Sequence, residues 1–145
     1  MANAATPDQC AKELARLLNA QAQICRKILA KTQLQQQLVE EAKEDELLSL
    51  LSDKQRLIDD HQKLVEQAAP YREQWEGGMR DRADAASHAL VEEAWNNLKN
   101  VLDEIVRLED ASRAYLQEQK DKVSVDIGTQ QRGKIVNKAY GGAAS

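Results

Sequence analysis

Very few side chains in this sequence could do covalent or metal chemistry, and their spacing argues against it. A zinc site would need nearly all of His61, His88, Cys10 and Cys25, yet the chain has no Cys-x-x-Cys, no His-Glu-x-x-His and no pair of histidines one turn apart. A di-iron bundle repeats Glu-x-x-His, but Ile58 and Ala85 stand three residues before the two histidines. No glycine-rich loop leads into a phosphate-binding lysine, and Gly-x-Ser-x-Gly is missing. His88 and Glu92 are one helical turn apart, the spacing of a surface contact. The sequence therefore predicts no catalytic residue, no metal and no cofactor, and points to a protein that works by binding.

The residues left standing out sit on a periodic stretch, residues 45–65. Its apolar positions Leu47, Leu50, Leu51, Leu57, Ile58, Leu64 and Val65 recur at the three-, four- and seven-residue spacing of one helix face. Lys54 and His61 fall on or beside that seam. The expected role of Lys54 is to pack its stem and extend its ammonium to water, and that of His61 is a hydrogen-bonded residue at the edge of the core.

Composition agrees with helices throughout. There is no Phe, only five residues are Tyr or Trp, and good helix formers dominate, so the fold class is all-α. The net charge of −4 has both signs interspersed, which leaves no basic field for nucleic acid. Cys10 and Cys25 lie fifteen residues apart in one expected helix, roughly 22 Å, too far to pair. Unpaired thiols, an N-terminus without a basic head or apolar run, and no apolar stretch of about 20 residues predict a cytoplasmic chain with no membrane insertion.

Glycine and proline mark the boundaries, since all six Gly and both Pro lie outside the main periodic stretches. Thr6 and Pro7 make a helix start, as cap and first helical residue. A first helix over about 8–42 follows, its apolar face interrupted by Gln21, Thr32 and a run of glutamines expected to form a solvated surface. The acidic stretch 40–46 is the expected break, with Asp45 as N-cap of a second helix over 45–76. Without that break, one helix of about 60 residues would run roughly 90 Å and demand a partner chain. Tyr71 and Trp75 share a face near the end of the second helix, and Gly77 and Gly78 end it. A third helix spans about 80–123, and residues 124–145 lose the period and are expected to be a flexible tail. Residues 1–123 thus read as an elongated antiparallel three-helix bundle or coiled coil.

The third helix carries the widest apolar stripe, including Leu98, Val101, Leu102, Ile105 and Leu108. At roughly 65 Å it outruns the roughly 37 Å of the second helix's main stretch, so part of this stripe is expected to receive a partner helix.

The order of these features, LLSLLSDKQRLI after an acidic turn, then Pro70-Tyr71-Arg72 and Trp75, a long third helix and an aromatic near the C-terminus, resembles the flagellar type III export chaperones of the FlgN-like group. Lys54-Gln55-x-Leu57-Ile58 is the closest match, and the resemblance covers about residues 10–140. It implies a cytosolic helical chaperone that holds the amphipathic C-terminal segment of hook–filament junction proteins before export. It further implies an export gate component as a second partner, docked by a C-terminal tyrosine, for which Tyr140 is the candidate. The client would lie on Leu98, Val101, Leu102, Ile105 and Leu108. The alternative is a structural coiled-coil scaffold or adaptor that forms a homodimer through the same stripe.

Overall fold

The computed structural model describes residues 6–123; the expected tail, with Tyr140, lies outside the described residues. Three long helices carry the chain: α1, Pro7–Glu40; α2, Glu44–Gln74; and, after a π-helical turn at Trp75–Met79 and the three-residue α3, Arg80–Arg82, the longest, α4, Ala85–Val123. No strand occurs among the described residues.

Local chemistry explains each boundary. At the start of α1, the Gln9 N–H donates to Thr6 Oγ1 at 3.2 Å and the Thr6 N–H donates to Gln9 Oε1 at 3.0 Å. This is a reciprocal capping box that satisfies two backbone donors, with Pro7 at the first helical position. At the end of α1, the Lys43 N–H reaches the Leu38 carbonyl at 3.1 Å and the Ala42 N–H reaches that of Val39 at 3.2 Å. These two bonds form a Schellman closure, which requires a left-handed residue at position 42, and Ala42 adopts it with φ of 56°. The break therefore falls at residues 41–43, inside the acidic stretch where it was expected. Asp45 is not the N-cap of α2 but lies inside its first turn with Glu44 and Glu46, where the helix dipole favours negative charge.

Pro70 does not end α2, which continues to Gln74. The reversal comes at Gly78, whose φ of 139° no other residue type adopts easily. There the Arg80 N–H bonds the Trp75 carbonyl, five residues back, in place of the ordinary four. Ala83 is then extended, and Asp84 caps α4 by accepting the Ser87 N–H at 2.8 Å. That bond is the main reason the Asp84 carboxyl titrates below its usual range.

The chain divides into two compact units. The first comprises residues up to Lys27 together with Leu57–Asp103. Here the start of α1 lies against both the end of α2 and the start of α4: the Cys10 thiol donates to the Tyr71 carbonyl at 3.4 Å, and the Ser87 hydroxyl donates to Asp8 Oδ1 at 3.2 Å. Leu14, Leu17, Leu18, Ala68, Trp75 and Leu98 are among its buried apolar residues. The second unit comprises Ile28–Arg56 and, of the described residues, 104–123. Its apolar cluster closes the α1–α2 turn, with Leu38 and Val39 packed on Leu47 and Leu50.

A left-handed L-residue costs about 1–2 kcal/mol, which glycine avoids at a smaller entropic penalty. Ala42→Gly should therefore stabilise the chain by about 0.5–1 kcal/mol, read as a higher midpoint in urea with unchanged slope.

Candidate functional site

On α4 the buried face is built from Ser87, Val91, Ala94, Leu98, Ile105 and Ser112, at alternating three-, four- and seven-residue steps. Leu98 and Ile105 are 2% and 9% exposed, so these two members of the expected partner-binding stripe face the chain's own interior. Val101, Leu102 and Leu108 are half-buried. Among the described side chains, the large apolar ones that α4 leaves open are Leu90, Trp95 and Val106. Trp95 lies seven residues before Leu102, in the same unit, and so shares its side of the helix.

Lys54 does not extend to water. It is 8% exposed, donates to Gln35 Oε1 at 3.0 Å and lies 3.6 Å from a Glu109 oxygen. Its partners come from α1 and α4, which one-helix periodicity could not supply. Gln35 is fully buried and belongs to no solvated surface, and Gln21 and Thr32 are buried with it. Thr32 satisfies its own hydroxyl by donating to the Ile28 carbonyl at 2.8 Å. Burial lowers the Lys54 pKa, and Glu109 opposes that shift.

A cavity of about 320 Å³ opens in the first unit. Leu14 and Leu18 of α1 and Val91 of α4 line it together with both tryptophans of the chain, Trp75 and Trp95. Trp75 is buried and meets the His88 ring edge-on, with centroids 5.5 Å apart. His88 Nε2 lies 2.6 Å from the Arg80 carbonyl, so that atom and the Trp75 ring, not Glu92, are its contacts. The Arg72 guanidinium stands 5.6 Å over the Trp95 ring, a cation–π distance, and 3.7 Å from Glu76. Arg80 and Glu92 complete the rim. The sequence marked Trp75, but nothing at helical spacing linked it to Trp95 or His88, because the Gly78 reversal sets that approach.

Cys10 and Cys25 are buried free thiols, and burial pushes Cys25 up to about 11. No group of three or more potential metal ligands occurs among the described residues, and no helix there is long and apolar enough to cross a membrane. His61 is half-buried, and its Nε2 is buried without a hydrogen-bond partner, contrary to the bonded histidine expected. No family model matches this chain, and no curated protein or solved structure matches it either. The class defined by its own geometry is an all-α protein of three long helices with apolar surface left open on the last.

Two measurements test this account. Lys54→Ala removes both the donor to Gln35 and the packed stem and should cost about 2 kcal/mol or more, whereas Lys54→Met, which removes the donor but refills the space, should cost less in the same urea titration. For His61, burial lowers the folded pKa below its ordinary 6.5, so the unfolded chain binds the proton more readily. Stability is then full above that value and falls as pH drops through the folded pKa. The difference in stability between the parent chain and His61→Gln should accordingly change with pH below 6.5 and be flat above it.

Proposed function

We propose that this chain is a cytosolic flagellar export chaperone of the FlgN-like kind, which holds the amphipathic C-terminal segment of hook–filament junction proteins and keeps them export-competent. Its three long helices are read as an antiparallel three-helix bundle that acts by binding, without catalysis. The observation that carries the reading is apolar surface on α4: Trp95 is 41% exposed, on the side of the half-buried Leu102. An amphipathic client helix laid there would cover surface that water otherwise meets. Leu98 and Ile105 serve as the packed floor from which Val101, Leu102 and Leu108 reach the client. Each leucine-sized anchor is worth roughly 1.5–3 kcal/mol when fully buried, less the cost of ordering the peptide.

Calorimetric titration with a junction-protein C-terminal peptide tests the reading. A saturable one-to-one complex is expected. Leu102→Asp should weaken it at least about tenfold while helix content is kept, since it removes one such anchor at a half-exposed position. Ile105→Asp is the less informative variant, because it places a charge in the interior. A tight dimer by light scattering at all concentrations, with no peptide binding, would instead establish the self-associating scaffold.

A further inference from the structure

The cavity lined by both tryptophans lies wholly within the first unit. Its lining comes from α1, from the end of α2 with the turn that follows, and from the first part of α4. It stops at Trp95, so it is a short pocket and not a groove along one helix. Leu14, Leu18, Trp75 and Val91 are buried, while Trp95, Arg80 and Glu92 are exposed. An apolar, aromatic floor under a polar mouth is the make-up of a small-molecule site, and the volume of about 320 Å³ stands at the lower end of such sites, which start near 300 Å³. That size suits a single ring with a short polar head. The charges at the mouth specify the head. Arg72 is engaged by Glu76 and by the Trp95 ring. Arg80 and Glu92 make no ion pair among the described residues, with each other or with any other group. A ligand of one charge would answer only one of these two groups, whereas a zwitterion answers both.

We propose that this pocket binds a free aromatic α-amino acid, its ring against the two indoles, its carboxylate toward Arg80 and its ammonium toward Glu92. The ring supplies affinity through buried apolar area and contact with the indole rings, and the two charges select the zwitterion over an acid or an amine of the same size.

Both tryptophans of the chain line the pocket, so the tryptophan emission of the full chain reports its occupancy directly. Titration with L-phenylalanine should give a saturable emission change. L-alanine, which keeps the zwitterion and lacks the ring, should bind at least about tenfold more weakly. Phenylalanine amide lacks the carboxylate and N-acetyl-phenylalanine lacks the ammonium, and each should bind roughly fivefold more weakly than phenylalanine, the scale of an exposed ion pair. Arg80→Glu should abolish the preference for phenylalanine over its amide, and Glu92→Lys the preference over the N-acetyl compound. Circular dichroism on both variants checks that the helices remain. The absence of a saturable change with phenylalanine, equal binding of alanine, or preferences that survive both charge reversals would overturn the proposal.

Discussion

A lysine ammonium stays inside a protein only where oxygen atoms replace the water it gives up, and this condition governs the second unit. Lys54 from α2 meets Gln35 from α1 and Glu109 from α4 in one layer. A shift of any of the three helices by one residue would move its polar group away and leave a buried charge unpaired, a far larger penalty than any single apolar mismatch. Leucine contacts are forgiving of such shifts, because one leucine resembles the next. The polar layer therefore sets register, while clusters such as Leu38, Val39, Leu47 and Leu50 supply the bulk of the burial.

The first unit is ordered by a different means, at its turn. Gly78 changes the direction of the chain, Asp84 restarts the helix, and Ser87 ties the new helix to Asp8 of α1. His88, one residue further, then meets both the Arg80 carbonyl and the Trp75 ring. A short run of backbone decisions thus places two tryptophans, two arginines and a histidine around one cavity.

How far the sequence could be read follows from the range of the interactions involved. Helix class, the Thr6 start and the single stripe that carries Leu98 and Ile105 depend on spacing within a helix, and spacing is visible in one dimension; that these two residues meet the chain's own interior and were not left open for a partner is not visible there. Asp45 is not the cap because local bonds compete for the turn: the Schellman bonds to Leu38 and Val39 close α1 early, and α2 begins at Glu44, before the aspartate. Gln35 and Lys54 could not be assigned, since a buried amide and a buried ammonium are distinguished from surface ones only by partners on other helices. The division of α4 between covered leucines and open Trp95 and Val106 likewise depends on which neighbours exist.

The thiols give the first unit a clock. Cys10 and Cys25 are both within it, both buried, and both raised in pKa by that burial, so neither presents a nucleophilic thiolate while the helices are closed. An alkylating reagent can reach them only in molecules that have opened, and each modified molecule keeps a permanent record of that event. Labelling over time therefore measures how often α1 parts from its neighbours, and mixed disulfides or covalent dimers in an aged sample count past excursions of the same helix.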